Sequence, residues 1–110
     1  MKRFVRALDL KDEPGAIETY VNHHQQVWPE VEQSLRRIGI ERLEIYRIGH
    51  RLVMVMETVD DFDPATAFVP HMADARCREW EELMMRFQQP APGAKSDDWW
   101  SEMIQVYQLR

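Results

Sequence analysis

Cysteine is nearly absent: Cys77 stands alone among 110 residues. It cannot close an internal disulfide, and no Cys/His spacing fits a zinc site. A chain without a disulfide framework suits a reducing compartment. Long apolar runs are also missing. None approaches the ~20 residues that span a bilayer, and the opening Met1-Lys2-Arg3-Phe4-Val5 lacks the apolar stretch of a signal peptide. A cytoplasmic protein with no membrane partner is therefore expected. Positive charge is outweighed, with 14 Lys and Arg against 19 Asp and Glu and a formal net charge of −5. The basic pairs Lys2-Arg3 and Arg36-Arg37 are isolated, so a nucleic-acid phosphate binder is not expected. There is no internal repeat and no low-complexity tract. What remains is a globular composition, 45% apolar and 30% charged. Residues 1–110 suit one compact domain, and a chain of this length buries roughly 60–70% of its unfolded surface.

The pattern alternates between strand and helix. Residues 2–10 read as a strand carrying Phe4, Val5, Ala7, Leu8 and Leu10. Pro14 and Gly15 punctuate the turn that follows. Ile17, Tyr20, Val27, Trp28, Val31, Leu35 and Ile38 then make a helical stripe. Pro29 interrupts it, because the residue before a proline is driven out of the helical region. Two helices meeting near Trp28, or one kinked helix, are expected, with Gly39 closing the second. Residues 42–48 and 51–58 form a hairpin across Gly49-His50. The apolar run in its second arm predicts a central strand buried on both faces. After a loop at Asp60–Pro64 containing an aspartate group without calcium-loop spacing, a helix is predicted over 72–87. Its buried face carries Ala73, Cys77, Trp80, Leu83, Met84 and Phe87. Residues 101–109 read as a final strand. The order β-α-β-β-α-β is α+β and ferredoxin-like, with a four-stranded antiparallel sheet. Two helices cover only one face of such a sheet. A second copy is the simplest cover for the other, so a homodimer in the form of a dimeric α+β barrel is expected.

Tyr20 and His24 lie four residues apart, on one helical face. They set a phenol beside an imidazole. Spacing favours His24 over His23, which falls about 100° away and is expected in solvent. Trp80 and Glu81 on the later helix read most simply as core and surface, yet together they are also a sugar-binding pair. An aromatic face stacks on the C–H face of a pyranose and a carboxylate accepts from its hydroxyls. Met54, Met56, Met84 and Met85 read as core filler. Trp99-Trp100 is suited to a dimer seam or a pocket mouth, and Glu57 to a strand-end surface or a site.

Several of these elements resemble one family along nearly the whole chain: Tyr20-x-x-x-His24, Val27-Trp28-Pro29-Glu30, Ile45-Tyr46, Cys77-x-x-Trp80, and the closing Gln105-Val106-Tyr107-Gln108-Leu109. The family is that of the L-rhamnose mutarotases. The resemblance implies an isomerase that interconverts the α and β anomers of a 6-deoxy-L-sugar without a cofactor or metal. It implies that His24 donates a proton and that Tyr20 and Trp80 contact the sugar. Two pocket positions depart from the pattern. Glu81 stands where the family has a second tryptophan, and Leu43 where it has a rhamnose-binding tyrosine. Residues 51–63 and Phe87-Gln88-Gln89-Pro90 resemble the branch associated with L-fucose, which makes that sugar the expected substrate. L-rhamnose is the alternative. A cofactor-free monooxygenase and a non-catalytic ligand-binding module of the same fold are more distant ones.

Anomer exchange opens the hemiacetal, rotates the aldehyde and recloses the ring. It needs one proton delivered to the ring oxygen and one removed from the anomeric hydroxyl. A positioned acid and base supply roughly 10²–10⁴-fold in rate. His24 is expected as the acid at the ring oxygen, with Tyr20 orienting the anomeric region. Trp80 is expected as the stacking wall and Glu81 as a hydroxyl acceptor. Tyr20, Glu57 and a water are candidates for removing the anomeric proton.

Overall fold

The computed structural model describes residues 1–95 and 99–110. Alternating burial organises its central hairpin. In β3 (Arg51–Thr58), Leu52, Met54, Met56 and Thr58 are buried, while Arg51, Val53, Val55 and Glu57 are half-buried. The apolar run is therefore covered fully on one face and partly on the other, because the helices lie on one side only. Its partner β2 (Ile40–Ile48) starts two residues before the expected Arg42 and carries a register shift between Ile40 and Arg42. β1 (Lys2–Leu10) pairs with the other side of β3, so β3 is central. Every pairing is antiparallel.

The helical stripe resolves into two helices. α1 (Ala16–His24) ends before Trp28, whose backbone is extended at φ −61° and ψ 133°. α2 (Pro29–Arg37) begins on the proline, which has no N–H to leave unpaired. Past its end, Gly39 takes φ +106°. A Cβ there would also sit 2.8 Å from Val59 Cγ2. Glycine is required on both counts.

The later helix is not continuous over 72–87. It divides into α3 (Val69–Ala73) and α4 (Ala75–Met85). Asp74 stands between them in an extended conformation, and its carboxylate accepts from the N–H groups of Arg76 and Cys77, each at 3.0 Å. That cap starts a new helix. Cys77, Trp80 and Met84 form the buried stripe of α4, but Ala73 and Met85 are exposed and contribute nothing to the core.

The fourth strand also differs. Its place on the outer edge of β1 is shared by two short pieces, β4 (Gln88–Gln89) and β5 (Ser101–Glu102). The last sheet hydrogen bond runs from Met103 N–H to the Val5 carbonyl at 2.8 Å. Beyond it, Ile104, Val106, Tyr107 and Leu109 are 88%, 94%, 72% and 81% exposed. Among the described residues, no strand pairs with this stretch.

Two apolar clusters fill the space between sheet and helices. One joins Leu8, Leu10 and Leu52 to Tyr20, Val31, Cys77, Trp80 and Met84. The other centres on Ile40, Met56 and Phe62. The opposite sheet face presents Val5, Val53, Val55, Tyr46 and Ile48, with Asp9 paired to Arg51 at its margin. No helix of the described residues is long and apolar enough to cross a membrane.

Candidate active site

A cavity of about 550 Å³ opens between the helices and the inner sheet face, within the range that small-molecule sites occupy. Strand alternation supplies one wall. Leu43, Ile45, Met54, Met56 and Arg6 share the inner face through direct cross-strand pairing. The helices supply the rest. Tyr20 and His24 come from α1, His71 from α3, and Trp80, Glu81 and Met84 from α4; Gln88 and Trp100 complete the rim.

All five residues singled out from the sequence, Tyr20, His24, Leu43, Trp80 and Glu81, meet at this cavity. The helical spacing of Tyr20 and His24 brings their ring centroids to 4.4 Å. His24 lies 5.5 Å from Trp80 in an edge-on arrangement, and Trp80 lies 5.2 Å from Trp28. Trp80, 4% exposed, is at once core and cavity wall. His23 is not in open solvent. It is half-buried, with its ring 6.0 Å from Phe87 and 6.2 Å from Trp80, but it does not line the cavity. Glu57 projects on the outer face of β3, opposite Arg3 and Arg42, so it is removed from the candidates for proton transfer. Of the tryptophan pair, Trp100 lines the cavity, and Trp99 instead donates to the Gln88 side chain.

The hydrogen bonds define donors and acceptors. His24 Nδ1 lies 2.9 Å from the Tyr20 carbonyl oxygen. A carbonyl only accepts, so Nδ1 carries the hydrogen, and in the neutral ring Nε2 keeps its lone pair. Burial pushes the His24 imidazole below its usual value; the Tyr20 carbonyl and the Glu81 charge oppose that, and His23 adds to it. Neutral His24 is thus the resting form at pH 7. The Tyr20 phenol is pushed up to about 12, chiefly by burial, with the Gln88 hydrogen bond opposing and the Glu81 charge adding. Trp99 Nε1 donates to Gln88 Oε1 at 2.7 Å, and Gln88 Nε2 donates to the Tyr20 hydroxyl oxygen at 3.3 Å. This chain fixes the Gln88 amide and leaves the phenolic proton of Tyr20 free to be donated.

Sequence reasoning did not single out Gln88 or His71 as site residues. Gln88 lies on a strand of two residues, too short for a periodic signal. His71 lies on the five-residue α3, in a region read as loop merging into helix.

A ferredoxin-like sheet under helices holds an imidazole, a phenol, a carboxylate and an aromatic wall around one cavity large enough for a monosaccharide, the outfit of a small sugar-binding protein able to move protons. The L-rhamnose mutarotase family model matches residues 3–109, and the chain belongs to that family. It is 41% identical over 111 residues to the L-fucose mutarotase of Xanthomonas campestris pv. campestris, covering 99% of this chain and 89% of that protein. Among solved structures it resembles the L-rhamnose mutarotase of Formosa agariphila, with TM-score 0.70, 18% identity and 100% of both chains covered. A dimeric ferredoxin-like protein from an uncultured marine organism follows at TM-score 0.59 and 15% identity, over 98% of this chain and 97% of that one. These two likenesses carry the fold. The chain is a sugar mutarotase, an isomerase acting at the anomeric carbon.

Proposed function

We propose that residues 1–110 act as one domain that exchanges the α and β anomers of L-fucose. The observation that carries the chemistry is the held tautomer of His24, which leaves a lone pair on Nε2 of a ring that lines the cavity beside a protonated Tyr20. That arrangement favours a different division of labour from an acidic His24. The neutral imidazole takes the proton from the anomeric hydroxyl. Tyr20 gives its phenolic proton to the ring oxygen as the C1–O5 bond breaks and the C1=O1 bond forms. A phenol near 12 is matched to a departing sugar alkoxide, which is a stronger base still. After rotation about C1–C2, the transfers reverse and the other anomer closes. Both transfers use only the two side chains, each returning to its starting state.

The choice of L-fucose rests on the 41% identical relative, together with Leu43 and Glu81 at the positions that depart from the rhamnose pattern. L-fucose and L-rhamnose differ in hydroxyl orientation at C2 and C4, and a carboxylate in place of an aromatic ring reads hydroxyls. Trp80 forms the stacking wall, Leu43 packs against the apolar side of the sugar, and Glu81 accepts from a hydroxyl. Saturation-transfer NMR between the anomers of L-fucose and of L-rhamnose tests the assignment. Faster enzyme-dependent exchange of L-fucose is expected, with His24→Ala losing most of it while staying folded. Equal exchange in that variant removes His24 from the mechanism.

A homodimer is the assembly proposed for this enzyme. It is supported by the uncovered outer sheet face and by the unpaired apolar tail after Met103.

A further inference from the structure

Anomer exchange leaves the buried part of one hydrogen-bonded chain, Ser34 and His71, without a task. Ser34 on α2, His71 on α3 and Glu81 on α4 join three elements in series. Ser34 Oγ lies 2.8 Å from His71 Nδ1, and His71 Nε2 lies 3.1 Å from Glu81 Oε1. His71 is 1% exposed and Ser34 6% exposed, whereas Glu81 reaches the cavity. An ionised carboxylate only accepts, so His71 Nε2 carries the hydrogen that Glu81 receives. In the neutral ring Nδ1 is then an acceptor, and the Ser34 hydroxyl donates to it. With the ring neutral, donation runs in one direction, from α2 toward the cavity.

The residue types resemble a nucleophilic triad, but the order is wrong for one. Ser34 is at the buried end and does not line the cavity. The group delivered to the cavity is the carboxylate. A glutamate has three rotatable bonds, and on an open cavity wall it would sample several orientations. One oxygen tied to a rigid, enclosed imidazole removes that freedom and leaves Oε2 for the ligand. Phe68, whose ring is edge-on to His71 at 6.4 Å, packs the imidazole from the side.

We propose that His71 is a positioning residue for sugar selection: held by Ser34, it fixes the Glu81 carboxylate so that one oxygen reads a single hydroxyl of the sugar. This rests on the mutarotase reading of the cavity. A site built to bond a given hydroxyl discriminates strongly against a sugar lacking it, because its polar group is left unpaired. Without His71, Glu81 can still reach a hydroxyl but no longer holds one direction.

The test compares wild type, Glu81→Gln, His71→Leu, His71→Gln and the Glu81→Gln/His71→Leu double variant. Anomer exchange is measured on L-fucose and on its mono-deoxy analogues at C2, C3 and C4. Glu81→Gln and His71→Leu are each expected to reduce the preference for L-fucose over one analogue by roughly ten-fold or more. Exchange of that analogue should fall by less than exchange of L-fucose. The double variant should be no worse than either single one. His71→Gln, whose amide N–H replaces the Nε2 donor, should restore most of the preference. Equal slowing of all sugars by His71→Leu, or multiplied losses in the double variant, would overturn the proposal.

A second readout does not depend on turnover. In ¹⁵N-histidine NMR of the sugar-free protein, Glu81→Gln should shift the His71 Nε2 signal and leave that of His24 nearly in place. An unmoved His71 Nε2 overturns the contact even if His71→Leu fails to fold. Absence of exchange on every sugar in wild type would count against the mutarotase reading, leaving the nitrogen signal to judge the His71–Glu81 pair separately.

Discussion

His24 is the last residue of α1, where the helix macrodipole favours a protonated imidazole. Burial in the cavity wall outweighs that attraction and holds the ring neutral. The consequence is a defined pH dependence. With His24 as the resting base, exchange should be level from about pH 7 upward and fall as pH drops through the lowered imidazole value, which lies below the usual ~6.5. Exchange that instead rises with acid would return His24 to the role of resting acid. Tyr20→Phe separates the partner's chemistry from its packing. The ring remains in the core, so the fold should survive. Gln88 Nε2 loses its acceptor in a buried position, at a cost of about 1–3 kcal/mol. Exchange on L-fucose should fall about 10²–10⁴-fold. A Tyr20→Phe enzyme with full exchange would transfer the ring-oxygen proton to water. At this scale the i, i+4 pair was legible because a helix repeats every 3.6 residues. His71 was not, since its significance depends on two partners brought together from α2 and α4.

Elements were readable where a residue carries its own backbone constraint. Pro29 begins α2 because proline lacks the N–H that a first turn cannot use, and Gly39 ends it because of its positive φ. The break at Asp74 was missed, although an aspartate just before a helical stretch is a cap signal, because the apolar spacing of residues 72–87 runs straight through it. The cap has a charge as well as a shape. Backbone donation, first from Cys77 and also from Arg76, holds the Asp74 carboxyl below its usual value against some burial. A depressed carboxylate stabilises the fold above its unfolded value near ~3.9, and that stabilisation is lost as pH falls below it toward the folded value. Asp74→Asn keeps an oxygen to accept the two N–H groups but removes the charge. Thermal melts should therefore show the variant less stable than wild type at pH 7, with the gap closing below about pH 4. A gap of constant size across that range would mean the charge contributes nothing.

At the scale of the molecule, the β-α-β-β-α-β order and the central position of β3 followed from strand and turn periodicity, whereas the fate of the C-terminal segment did not. Alternating apolar residues report fitness for a sheet and are silent on which chain supplies it. Ile104 and Val106 are 88% and 94% exposed, so in an isolated chain they have almost no contacts to lose. Changing both to aspartate should then alter stability by within about 0.5 kcal/mol, as for ordinary surface substitutions. In a dimer whose tails and outer sheet faces cover one another, the same change buries two charges against Val5, Val53, Val55 and Tyr46 of the opposing copy, which is strongly unfavourable. Size-exclusion chromatography with light scattering distinguishes the cases. The wild type should show twice the 13.2 kDa chain mass, and Ile104→Asp/Val106→Asp should shift it to the single mass at low protein concentration. The cavity is built upstream of this tail, with Trp100 the last residue lining it, so the separated chains should retain tryptophan quenching by sugar if they remain folded. A wild-type monomer, or a double variant that stays dimeric, would rule out the tail as part of the interface.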